Sequence, residues 1–236
     1  MKKTTLSIRF KTALMAAMAL MVCLVYSCNF AQETDLKPGK DRWSIKTSIP
    51  DHQVRKTIAL IDLLKLPAPV ENYNRNQYNE NRIADSVKLN GKYYREGDII
   101  TTFGYIHLVA LEKDEKKSDG DYHIQILPGK EWTDSCLIIE VPYPEFVKND
   151  SGLKDSVSKA RNFVNETILK GHDFNTKGKA ITPAIYVKIT GQLFFDGIHL
   201  NSGTLRGKHD KKTNRPMHSY TCWEIHPVIS FEQVKN

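Results

Sequence analysis

The chain has 236 residues, which at roughly 100–200 residues per domain accommodates one domain with extensions or two small ones, and excludes a large multidomain machine. Hydrophobic residues at 40% and charged residues at 26% are ordinary globular usage, so neither wholesale disorder nor a multi-span membrane protein fits. Four cations of the +7 formal charge, Lys2, Lys3, Arg9 and Lys11, precede the first apolar run; without them the balance is about +3, too weak a basic bias for a dedicated nucleic-acid binder.

Those four charges, with no acid among them, are followed by an uncharged, almost wholly apolar stretch from Ala13 to Tyr26. A membrane span needs about 20 apolar residues, so this shorter run has the form of a signal peptide. Val25-Tyr26-Ser27-Cys28 sets a small residue before a cysteine, the arrangement of a bacterial lipobox. Lipidation at Cys28 would make the membrane a partner and the tether stable, since each buried methylene contributes about 0.8 kcal/mol. Cleavage after Ala31 is the alternative and gives a secreted product. The expected organisation is a signal peptide over 1–27, a polar tether over 28–47, a helix and polar loop over 48–82, and the main domain over 83–236.

In the extension, Ser48-Ile49-Pro50-Asp51 reads as a helix start, and Val54, Ile58, Ile61 and Leu64 or Leu60 continue at helical spacing until Pro67 and Pro69. Residues 71–82 are Asn-rich and polar, a loop. Asn90-Gly91 between Val87-Lys88-Leu89 and Lys92-Tyr93-Tyr94 predicts a tight hairpin, because both residues tolerate positive φ. Strands are expected at 99–111, 121–127, 137–141, 184–195 and 222–231, with a helix at 153–169 carrying Val157, Ala160, Phe163 or Val164, and Ile168 on one face. The order β-β-β-α-β-β is that of an OB-fold, a mainly β, five-stranded Greek-key barrel with a helix at one end. The charged turn at Glu112–Lys117 suits a hairpin tip, and the basic run Lys208–Arg215 lies in a long loop where an anionic ligand could be steered.

Alternation sorts the strand residues by face. Tyr122, Ile124, Ile126, Leu137, Ile139, Val141, Trp223 and Ile225 are expected inside, leaving Asp121, His123, Gln125, Glu140, Glu224 and His226 on the other face. In the OB strand order the third and fifth strands pair in parallel, and aligning Cys136 with Cys222 sets Glu140 beside His226. That register makes Cys136 and Cys222 a disulfide candidate, as befits an even pair in an exported chain. In an enzyme built on this patch the catalytic candidates are His123, Glu140, Glu224 and His226. The metal candidates are His123, Asp196, His199 and His226, the middle two from Phe194-Phe195-Asp196-Gly197-Ile198-His199, for zinc or another divalent ion. Satisfied hydrogen bonds at strand ends, or a metal-free ligand pocket, are the competing readings of the same residues.

Asp119-Gly120-Asp121-Tyr122-His123, Ile139-Glu140-Val141-Pro142, Phe194-Phe195-Asp196 with His199, and Glu224-Ile225-His226-Pro227-Val228 together resemble a group of uncharacterised exported bacterial OB-like domain proteins with a D-G-D-x-H, E-x-P, F-F-D-x-x-H and E-x-H-P-V series. The resemblance covers roughly 82–231 and implies the shared domain but no reaction. The expected function is an envelope-located binding or interaction module for a protein or small molecule. A metal-dependent hydrolase, phosphodiesterase-like, is the alternative; single-stranded nucleic-acid or oligosaccharide binding is a third, with nucleic acid disfavoured by the charge. No Ser-His-Asp elbow, P-loop or dinucleotide fingerprint is present.

Overall fold

The computed structural model describes residues 41–51, 53–112, 119–133, 135–147, 150–200, 206–207 and 217–235. The leader with Cys28, the turn at 113–117 and the basic run at 208–215 lie outside the described residues. Strands β1 (Arg55–Thr57), β2 (Ser86–Leu89), β3 (Lys92–Arg95), β4 (Ile99–Leu111), β5 (Tyr122–Leu127), β6 (Leu137–Val141), β7 (Lys179–Phe195) and β8 (Trp223–Gln233) alternate with helices α1 (Trp43–Lys46), α2 (Leu60–Leu63), α3 (Arg75–Tyr78) and α4 (Ser151–Phe163). Among the described residues no helix is long and apolar enough to cross a membrane.

Five strands close into a barrel in the order β4-β5-β6-β8-β7, with β7 returning to β4, and β1 adds in parallel to the outside of β4. This is the OB-like barrel the element order predicts, including the parallel β6–β8 pair with Ile138 opposite Glu224 and Ile139 opposite Ile225. The inward residues are those chosen by alternation: Ile124, Ile126, Leu137, Ile139, Val141, Trp223 and Ile225 share one core. Helix α4 starts where the Asp150 side chain accepts from the Leu153 N–H at 2.8 Å. It continues as a π turn to Ile168 and buries Leu153, Val157, Ala160, Val164 and Ile168 against the barrel. Ordering a helix this short requires that apolar stripe, since isolated helices of its length are marginal.

The hairpin forms as read, with Asn90 at φ 50° and Gly91 at φ 77°, and makes a separate two-stranded ribbon. The extension departs from the expected helix over 48–66. Arg55–Thr57 instead pair with Ile99–Thr101 as a strand, and only Leu60–Leu63 turn helical. The apolar spacing is compatible with a helix, but the free edge of β4 offers backbone hydrogen bonds that local propensity does not anticipate. The tether also ends earlier than residue 47: Arg42 is fully buried and α1 packs on the barrel.

The disulfide candidate does not form, and Cys136 and Cys222 are free thiols. The Cys136 N–H donates to His218 O at 2.9 Å within a parallel bridge of Ser135 with His218, so the chain beside Cys136 is 217–219 and Cys222 lies farther along. The Cys136 sulfur accepts from Gln125 Nε2 at 3.6 Å.

Candidate functional site

The outer face of β5, β6 and β8 is where the polar residues collect, and it is covered rather than solvated. His123 on β5 is the direct cross-strand neighbour of Glu140 on β6, and the parallel register carries Glu140 to His226 on β8. Exposure is 6% for His123, 5% for Glu140, 1% for Asp121, 4% for Asp196, and 0% for Glu224 and His226. The apolar floor is Phe194, whose ring meets the His226 imidazole edge-on at 5.7 Å and lies beneath Arg42 and Lys46 at 4.9 and 5.4 Å.

One backbone feature and one side chain bring the strands and their cover together. A Cβ on Gly191 would stand 2.4 Å from the Ile225 side chain and 2.5 Å from Pro227 O, so only glycine lets β7 approach β8 beside His226. The neighbouring Gln192 then ties strand to cover, its Nε2 donating to His226 O at 2.9 Å and to Ile45 O in α1 at 3.1 Å.

Glu140 is the centre of the cluster. Its Oε1 lies 3.2 Å from His123 Nδ1 and its Oε2 lies 2.8 Å from His226 Nδ1, the latter off the angle of a hydrogen bond. His123 Nδ1 is also 3.1 Å from Glu112 Oε2, and His226 Nε2 is 3.5 Å from Asp121 Oδ2. Beside this row, Arg206 bridges Asp196 and Glu224, and His199 Nε2 stands 3.4 Å from Asp196. His123 Nε2, Asp196 Oδ1, Arg206 Nη1, Glu224 Oε2 and His226 Nε2 are buried with no hydrogen-bond partner among the described residues. Such atoms are uncommon in folded interiors and call for a ligand, an ion or water.

Charge is unevenly compensated here. Burial alone would raise Glu140, but the His123 hydrogen bond and the close His226 imidazole outweigh it and hold the carboxyl well below its usual range. Burial pushes Asp121 well above the ordinary carboxylate value, with the Asp119 and Glu140 charges adding to it. It also lifts Glu224 to about 8 despite Arg206, and Asp119 to about 6. Burial would lower His123, but its bonds to Glu112 and Glu140 raise it to about 9; His226 stays lowered by burial. Half-buried Lys46 is raised against desolvation by Asp196, Glu140, Glu224 and Asp121 together, which marks its ammonium as facing the cluster. A neutral His226 and an ionised Glu140 offer an imidazole lone pair and a carboxylate, whereas Asp121 must give up a proton to act as a ligand.

Two three-residue groups have ligand atoms all within 4.8 Å of one another: Asp121, Glu140 and His226, and Glu112, His123 and Glu140. His123, Glu140, Glu224 and His226 converge as alternation expects. Asp196 and His199 adjoin through Arg206 but belong to neither group, so the expected ligand set of His123, Asp196, His199 and His226 is not the one that meets. Sequence reasoning passed over Asp121 and Glu112 as ligands, and Lys46, Arg42 and Arg206 altogether. For Asp121 the signal exists, two residues before His123 on the same face; the cations carry no local pattern. Comparisons with protein-family models, curated proteins and solved structures return no match for this chain.

Proposed function

We propose that this chain is an exported binding module, lipid-anchored at Cys28, whose OB-like barrel binds a divalent metal ion at Asp121, Glu140 and His226. The observation that carries the reading is the meeting of these three buried side chains, each offering a ligand atom within 4.8 Å of the others, with both His226 nitrogens lacking a hydrogen-bond partner among the described residues. Two carboxylates and an imidazole suit zinc or manganese, bound at about 2.0–2.2 Å for zinc. The acidic excess on this face supports a cation as ligand over a polyanion such as nucleic acid. Export rests on the leader pattern in residues 1–31.

A metal-dependent hydrolase is the second reading, favoured by Glu224. Its Oε2 is buried, has no hydrogen-bond partner among the described residues and lies 4.0 Å from His226 Nδ1; in its ionised form, which prevails above about pH 8, it would be placed to take a proton from a metal-bound water without serving as a ligand. Elemental mass spectrometry of the purified mature chain tests the metal. Stoichiometric zinc or manganese is expected, lost in folded Asp121→Asn and His226→Ala variants. Absence of metal, with no uptake on titration by either ion, refutes the proposal. Hydrolysis of phosphodiesters or esters that disappears in Glu224→Gln, with metal retained, would promote the second reading.

A further inference from the structure

Resting on that reading, we infer that the site is dinuclear: a second divalent ion binds at Glu112, His123 and Glu140, and Glu140 bridges the two ions through its separate oxygens.

The geometry of Glu140 points there. A carboxylate serving one site turns its oxygens to that site, whereas Glu140 presents Oε1 to His123 Nδ1 at 3.2 Å and Oε2 to His226 Nδ1 at 2.8 Å. The two imidazoles approach from opposite sides because they stand on the two strands flanking β6. Neighbouring strands are about 4.8 Å apart, so one ion between β5 and β6 and another between β6 and β8 lie about one strand spacing from each other. Dinuclear centres hold their ions about 3.5–4 Å apart, a span that one carboxylate bridges.

Glu112 completes the second group, its Oε2 lying 3.1 Å from His123 Nδ1, and the ligand atoms of Glu112, His123 and Glu140 fall within 4.8 Å of one another. His123 Nε2 is a separate pointer to a ligand: His123 is 6% exposed, and this nitrogen has no partner among the described residues. A half-turn about Cβ–Cγ carries Nε2 to the place of Cε1, one bond from where Nδ1 now meets Glu112 and Glu140. Charge agrees with two ions. Glu112, Asp121, Glu140, Asp196 and Glu224 meet Lys46, Arg206 and Arg161 among the described residues, so carboxyl groups outnumber cations in the pocket.

The metal-free mature chain, titrated with Mn²⁺ and separately with Zn²⁺, tests the inference. Two ions per chain are expected by elemental analysis after gel filtration, with an exchange-coupled electron paramagnetic resonance signal from the two Mn²⁺ ions. Glu112→Gln, which keeps the side chain's size and removes its charge, is expected to weaken the second ion at least tenfold. Combined with His123→Gln it should leave one ion per chain and an uncoupled six-line spectrum. One ion in the unaltered chain, lost in His226→Ala but indifferent to Glu112→Gln, overturns the second ion and keeps the first. Two ions unaffected by the Glu112 and His123 changes overturn it as well, by placing the second ion elsewhere. No ion at all overturns both readings.

Discussion

Replacing Arg42 tests how the cover over the site is held. All five guanidinium N–H groups donate: Nε to Tyr78 O at 3.0 Å, Nη1 to Glu96 Oε1 at 2.7 Å and Phe195 O at 2.8 Å, and Nη2 to Asn81 O at 2.9 Å and Glu96 Oε2 at 2.6 Å. Both side chains of the ion pair are 0% exposed. Arg42→Met therefore leaves a buried carboxylate supported, among the described residues, by the Ile83 and Phe195 N–H groups, and strips donors from three carbonyls. Breaking one partner of a buried pair costs about 3–5 kcal/mol. In a folded unit spanning Lys37–Asn236, at about 2–4 °C per kcal/mol, that is a fall in Tm of order 10 °C. Urea unfolding followed by tryptophan fluorescence should show a lower midpoint with an unchanged slope, and Arg42→Met/Glu96→Gln should lose less than the two single changes summed. A loss under about 1 kcal/mol, or strict additivity, would show that the pair does not anchor the segment preceding α1.

Three further outcomes follow from the site. Metal-free protein should lose stability as pH rises from 6.5 to 9, at about 1.4 kcal/mol per unit for each proton held only by the folded state. Glu224 is raised from 4.5 to about 8 and His123 from 6.5 to about 9, so both hold protons in the folded chain that the unfolded chain releases; a Tm in chelator that climbs over this window contradicts that assignment. Lys46→Met removes a cation facing the carboxylates and should tighten divalent binding at least tenfold, since a monovalent and a divalent cation about 10 Å apart at an effective dielectric constant near 20 repel by about 3 kcal/mol; unchanged affinity by calorimetry would place the ammonium away from the ion. Gly191→Ala drives a methyl against Pro227 O and the Ile225 side chain, and should destabilise by about 1–3 kcal/mol while weakening metal uptake through displaced His226; a thermally neutral variant would mean that β7 can shift without cost.

The barrel was legible because its signals are local and mutually consistent. Asn90-Gly91 specifies its own turn, alternation in β5, β6 and β8 separates core from polar faces, and matching Glu140 to His226 selects the parallel register that the structure has. The extension was illegible for the opposite reason. Val54, Ile58 and Ile61 fit a helical stripe, yet their conformation is decided by the edge of β4, whose partner residues Ile99–Thr101 lie more than forty positions away. Arg42 is a harder case still: one arginine in a polar stretch gives no periodic signal, and its role depends on Glu96, 54 residues along the chain.

For the site, alternation identified which side chains leave the barrel core but not whether water meets them. Period two assigns His123, Glu140, Glu224 and His226 to the outer face, and an outer face is ordinarily solvated; here α1, the Asp196–His199 turn and Arg206 close over it. That difference inverts the energetics. On an open surface these acids and imidazoles would be nearly free of cost, whereas buried they carry raised carboxyl affinities and polar atoms without partners. An apolar face would pack under the same cover without that penalty, so stability alone does not account for the composition. The proposed divalent cation would account for it, because it satisfies carboxylate and imidazole lone pairs together.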